Sequence, residues 1–351
     1  MKFLGILAIY CGHFGENTGR LFLFVWRYHV PLMFLCAGFF AQRNKELSLK
    51  EFLVKRISNI IVPYYVFAAC SLAVYLILNP ITAEDFFRFI VYGILGFKNI
   101  TYAEPLWFLP ALFFVEMVYY FLMKINLGDE KRNALLRVVI CFAFSCAATI
   151  FSKGNYNTYF PLCSNFACQY FIYYSIGNLV EVTCIDNKRP ISFSKLKCIN
   201  LVAIFIGGGY ALSVYCGVDI LEMIRVRNNE VLNYIISTIS VLLICLGNYP
   251  VAKVLSRSKM AVWFGRNTLY LCGNEVIIKM LFSYILLMLG IPNEIYGEME
   301  PILYSLFLFY VVLRFMKEFE EQVVSDVNKN LWNRFGKALE VKKGFTKNER
   351  Q

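Results

Sequence analysis

Charge is scarce in this chain. Only 17% of its 351 residues are charged, where soluble domains run near a quarter. Histidine is scarcer still, with His13 and His29 the only two. The twelve cysteines form no C-x-x-C pair, so neither a zinc site nor a dithiol redox centre is expected. Most of them fall inside apolar stretches (Cys11, Cys36, Cys141, Cys245 and Cys272 among them), where the residue acts as a small, soft packing group. There is no Gly-rich phosphate loop, internal repeat or low-complexity segment, which sets aside P-loop chemistry and solenoid folds. The first apolar stretch lacks the small-residue cleavage pattern of a signal peptide and carries His13 instead.

What the chain has in excess is apolar surface. It is 58% hydrophobic and 17% aromatic, with a mean hydropathy of +0.55. About 20 mostly apolar residues cross a bilayer as a helix. Ten such runs are found, at 2–15, 21–40, 60–79, 105–123, 135–151, 162–182, 198–216, 231–249, 264–289 and 301–317. The expected fold is therefore an all-α, polytopic membrane helix bundle of about ten spans. A net charge of +11 would suit a nucleic-acid partner, but the basic residues fall in clusters between apolar runs, and none is expected. Most lie in 41–58, 124–137, 183–197, 250–266 and the tail after 314. Cytoplasmic loops carry the Lys/Arg excess, so both termini are expected in the cytoplasm, as an even number of spans requires. The expected location is the cell membrane.

Two outer connections are more than turns. Residues 80–104 mix aromatics with Glu84, Asp85 and Arg88, which predicts an interfacial or re-entrant helix. Residues 154–170 are rich in Tyr and Asn, as in a sugar-binding rim or an aromatic belt at the headgroups. Residues 1–317 are expected to form one membrane domain. The tail 318–351 is amphipathic with a basic end, expected as a cytosolic helix on anionic lipid that ends in disorder.

The candidate chemistry lies in a few polar residues within these spans. Ten residues separate Lys2 from His13. On a helix that puts the imidazole roughly 16 Å from the cytoplasmic face, near mid-bilayer. A lysine at the interface can meet an anionic group from the cytosol, and a neutral imidazole at mid-depth can take a proton from a hydroxyl nucleophile. His29 opens the second span's apolar core in Tyr28-His29-Val30-Pro31. A bend at Pro31 would aim it at the cavity holding His13, although a structural role is equally open. Lys55-Arg56, just before the third span, reads as a phosphate clamp for a nucleotide-like donor or as the positive-inside signal itself. Trp107 is either an interface anchor or a stacking surface for a ring. Glu275 and Lys279 lie four apart on one helix face. A buried acid there must pair, with Lys279 alone or with an imidazole or substrate as well.

These residues carry a resemblance. Lys2-x10-His13 with Gly12, followed by YHVPLMFLCAGFF, resembles the start of the membrane acyltransferase-3 family. KRISNIIVPYY is similar to its cytosolic basic segment closing on a proline, PLWFLPALFF to its tryptophan-containing span, and GRNTLYLCGNE to its last motif. The match covers about residues 1–317. Ala37 stands where the family usually has serine, and Asn274-Glu275 where it often has histidine. The resemblance implies transfer of an acyl group, acetyl foremost, from cytosolic acyl-CoA (acetyl-CoA) as co-substrate to a hydroxyl of a glycan, free or lipid-linked. His13 would then be the general base or a transient acyl carrier, with His29 and Glu275 orienting it or shuttling protons. Lys2, Lys55 and Arg56 would bind the donor phosphates, and Trp107 the acceptor. The competing class is a transporter or flippase of lipid-linked glycans. A membrane glycan polymerase fits less well, because it would want arginine clusters and a large loop on the outer face.

Overall fold

The structure is a computed structural model that describes residues 1–98, 102–151, 160–184, 193–227, 229–292 and 295–348. Among the described residues there is no strand, and the fold is an all-α polytopic bundle. With no water in hydrocarbon to satisfy backbone groups, helices are the way an apolar chain of this kind crosses it.

In chain order, a short α1 (Lys2–Gly12) is followed by α2 (Arg20–Gly38) and α3 (Leu49–Leu78). Helix α4 (Ala83–Leu95) leads to α5 (Glu104–Met123), α6 (Glu130–Phe151) and α7 (Phe171–Cys184). Then come α8 (Cys198–Tyr215), α9 (Glu230–Leu255), the short α10 (Lys259–Arg266), α11 (Thr268–Met288) and α12 (Met299–Asn333). Eight of these are long and apolar enough to cross a membrane. The other two expected spans are shorter than their hydropathy suggests. Helix α1 has only 11 residues and stops at Gly12, with His13 in the capping position. The run 162–182 is helical as Ser164–Gln169 and α7, broken at Tyr170, and Leu162 and Cys163 before it adopt left-handed backbone.

Local sequence explains several boundaries. Ser48 and Glu51 form a reciprocal capping box at the start of α3. A π turn at Ile57–Ile61 then widens α3 just past Arg56, ahead of Pro63, which cannot donate to the carbonyl four residues back. The expected helix within 80–104 is α4, whose N-terminal Thr82 accepts from Asp85 N and whose end is set by Gly96 at φ +66°. The tyrosine-rich stretch 154–159 and much of the basic loop 183–197 lie outside the described residues.

Small residues let two key helices touch. A Cβ on Gly38 of α2 would collide with the Tyr174 carbonyl of α7, and one on Gly177 of α7 would collide with the Leu35 carbonyl of α2. This contact fixes the helix that carries His29. Gly177→Leu is therefore expected to force α2 and α7 apart. Overpacking typically costs about 1–3 kcal/mol, and here the obstacle is backbone that cannot change rotamer. The check is the fraction of detergent-solubilised protein that survives a heating series; survival equal to that of the unmodified protein would show that the contact is dispensable.

The expected boundary at residue 317 falls inside continuous helix. After a π turn at Val312–Met316 the backbone remains helical to Asn348. Glu320, buried at 2% exposure, accepts from Asn274 Nδ2 at 2.6 Å. Asn328 Nδ2 donates to the Ser58 carbonyl (3.2 Å) and Trp332 Nε1 to the Ser58 hydroxyl (2.7 Å). The extension of α12 thus packs against α3 and α11.

Candidate active site

The site is built where α1, α2 and α11 meet. Tyr10 near the end of α1 donates its hydroxyl to the Leu271 carbonyl of α11 at 2.6 Å, which pins the two helices together. One turn of α11 further on, Glu275 faces the end of α1. Its Oε1 accepts from His13 Nδ1 at 2.8 Å and from Lys279 Nζ at 2.8 Å. Lys279 also donates to the Tyr10 carbonyl at 3.1 Å. Glu275 is 1% exposed and its Oε2 has no hydrogen-bond partner among the described residues, whereas the His13 side chain is 26% exposed.

An ionised carboxylate only accepts hydrogen bonds, so Nδ1 of His13 is the donor to Glu275; in the neutral imidazole the lone pair is then on Nε2. His29 is fixed similarly, because its Nδ1 donates to the Val25 carbonyl at 2.9 Å. The two imidazoles stand edge to face with centroids 6.1 Å apart. Trp26, one turn before His29, packs on both, at 5.9 Å from His13 and 5.1 Å from His29.

Three cavities surround this cluster. A central one of about 370 Å³ is lined by His13, His29, Trp26, Trp107 and Tyr170. A wider one of about 980 Å³ reaches His13, Glu275 and Lys279 past Leu78 and Tyr284. His13 lines both. The third, about 420 Å³, is lined by Lys2, Arg43, Lys55 and Arg56, and shares Phe108 and Cys272 with the central one. The four cations therefore line a cavity that adjoins the one holding the imidazole pair.

The candidate residues thus fall into two connected groups. His13, His29 and Trp107 share the central cavity, with Glu275 behind His13. Lys2, Lys55 and Arg56 share the basic one. In that cavity Lys55 donates to Asn44 Oδ1 at 3.1 Å, and Lys2 and Arg43 both lie over the Phe40 ring, 5.2 and 4.6 Å from its centroid. Arg56 Nε lies 3.0 Å from Glu116 Oε2, an ion pair buried between α3 and α5. Arg43, Glu116 and Trp26 belong to the site but do not stand out in the sequence reading. Glu116, a lone acid in the apolar run 105–123, carried a readable signal, since an ionisable group at that depth needs a partner. Trp26 shares a helix face with His29 by its i, i+3 spacing.

A buried carboxylate that holds an imidazole by Nδ1, with Nε2 left to accept, is the arrangement of a general base. It stands in a multi-pass bundle beside a cationic cavity. Residues 1–315 match the family model described as an acyltransferase domain, and the chain belongs to the membrane acyltransferase-3 family. Searches of curated proteins and of solved structures returned no match.

Proposed function

We propose that this membrane acyltransferase moves an acyl group, acetyl foremost, from acyl-CoA at the basic end to a hydroxyl of a carbohydrate acceptor. The observation that carries this reading is the Glu275–His13 hydrogen bond at the junction of two cavities. In the proposed step, His13 Nε2 takes the hydroxyl proton as the oxygen attacks the thioester carbonyl. The C–S bond then breaks, and the CoA thiolate receives the proton from the imidazolium. Glu275 stabilises that imidazolium, and His29 Nε2 accepts from the acceptor's hydroxyls and orients them. Lys2, Arg43, Lys55 and Arg56 meet the donor phosphates. The basic end is then cytoplasmic, together with both termini, and the protein sits in the cell membrane.

The direct test compares surface glycans from cells with and without the chain, together with acetyl-CoA consumption by the purified protein. Loss of base-labile acyl groups in the cells and acceptor-dependent CoA release in vitro are expected. Intact glycan acylation with no CoA release would favour a transporter.

For the donor site, Lys55→Ala with Lys2→Ala leaves the Arg56–Glu116 pair intact. Each charge-assisted contact is worth about 1.5–3 kcal/mol, so acyl-CoA affinity is expected to fall at least about tenfold. Unchanged affinity, measured by calorimetry on the inserted protein, would reduce both lysines to topology anchors.

A further inference from the structure

The central cavity holds two more cations, at the side away from the cationic cavity: Arg27 and Lys98. They differ in how they are held. Arg27 pairs with Asp219, whose other oxygen accepts from Tyr210 Oη at 2.6 Å and from the backbone of Leu221 and Glu222. That charge is already answered by a carboxylate within a closed hydrogen-bond network.

Lys98 is answered differently. Its Nζ lies 4.0 Å from the centroid of Phe166 and 5.3 Å from that of Trp107, and no carboxylate among the described residues is within ion-pair distance. Elsewhere on the same side, Arg88 pairs with Asp85 and Arg225 with Glu222. Lys98 is half-buried, and burial pulls its ammonium below the ordinary range even though Cys163 and Glu104 act to raise it. A partly desolvated ammonium held by two rings, on the wall of a cavity that contains the base, has Glu104 on the same wall but no ion-pair contact among the described residues, and can take an anion directly. Trp107 and Tyr170 line the same cavity, so a sugar ring that enters it meets aromatic surface.

We propose that Lys98 is an acceptor-binding residue, and that the acceptor carries an oxyanion, either a carboxylate or a phosphate, next to its sugar ring. This rests on the acyl-transfer reading for the word acceptor, but the binding itself does not. The ring lies on the Trp107 wall, the oxyanion meets Lys98, and a hydroxyl is left to face the imidazoles.

The test is direct binding to the purified full-length protein, followed by tryptophan fluorescence. Three probes are used: phenyl glucoside, phenyl glucuronide and glucose 1-phosphate. At least one anionic probe is expected to bind ten times more tightly than the glucoside, and which one wins tells carboxylate from phosphate. In Lys98→Met, which keeps the apolar stem against both rings, that preference is expected to disappear; in Lys98→Arg it is expected to return. Anionic probes that bind no better than the glucoside overturn the proposal. So does a preference that survives in Lys98→Met, because another cation would then hold the anion. If Lys98→Met does not fold, Lys98→Gln takes its place with the same two outcomes. Anion-selective binding that depends on Lys98, without any acyl transfer from acetyl-CoA, supports the proposal and counts against the transferase reading.

Discussion

His13→Ala is expected to lower acyl transfer per inserted molecule by about 10²–10⁴, the range a general base contributes. Among the described residues the side chain makes one hydrogen bond, to Glu275, and its ring is partly open to two cavities. It fills no deep packing site, so its loss should leave abundance nearly normal. A structural role predicts the opposite pattern, with less protein in the membrane and each surviving molecule fully active. Quantifying inserted protein alongside transfer separates the two. Near-normal transfer per molecule in His13→Ala would remove the base from the mechanism.

Glu275→Gln is expected to be nearly as damaging. The amide keeps the shape of the side chain but loses the charge that would stabilise an imidazolium on His13. Loss of an orienting acid in a comparable triad costs up to about 10⁴, and a fall of at least about 10² is expected here. The same change leaves the Lys279 ammonium, 2.8 Å from the replaced oxygen, without its counter-ion. Stripping one partner from a buried pair typically costs about 3–5 kcal/mol, so abundance should fall as well. The double variant Glu275→Gln/Lys279→Met resolves the two effects. It is expected to regain abundance without regaining transfer, because the stray charge is gone but the imidazolium still lacks support. Recovery of transfer in the double variant would show that the carboxylate serves only to neutralise the lysine.

Much of this site was legible in the chain because the polar residues stand out against apolar runs. Two histidines and the Glu275/Lys279 pair are conspicuous in spans with so little charge, and helical spacing alone put the last two on one face. The joining of His13 to Glu275 was open, since 262 residues separate them and no local pattern encodes which face of α1 meets α11. The same holds for Arg56 with Glu116 and for Arg27 with Asp219, whose pairings belong to helix packing. Hydropathy also overstated α1 and the run 162–182. It sums side-chain character and is blind to the backbone turns after Gly12 and at Leu162–Cys163.

The last helix touches α3 and α11 beside two parts of the site. Its Asn328 and Trp332 hold Ser58, two residues beyond Arg56, while its Glu320 holds Asn274, the neighbour of Glu275. The acyltransferase domain match ends at residue 315, before any of these contacts. Thermodynamic linkage makes the arrangement reciprocal. A ligand that binds this helix differently when the cationic cavity is filled must itself be felt at that cavity, by the same factor. The helix beyond residue 315 thus bears on α3 beside Arg56 and on α11 beside Glu275, so a shift of this one helix would be felt at both.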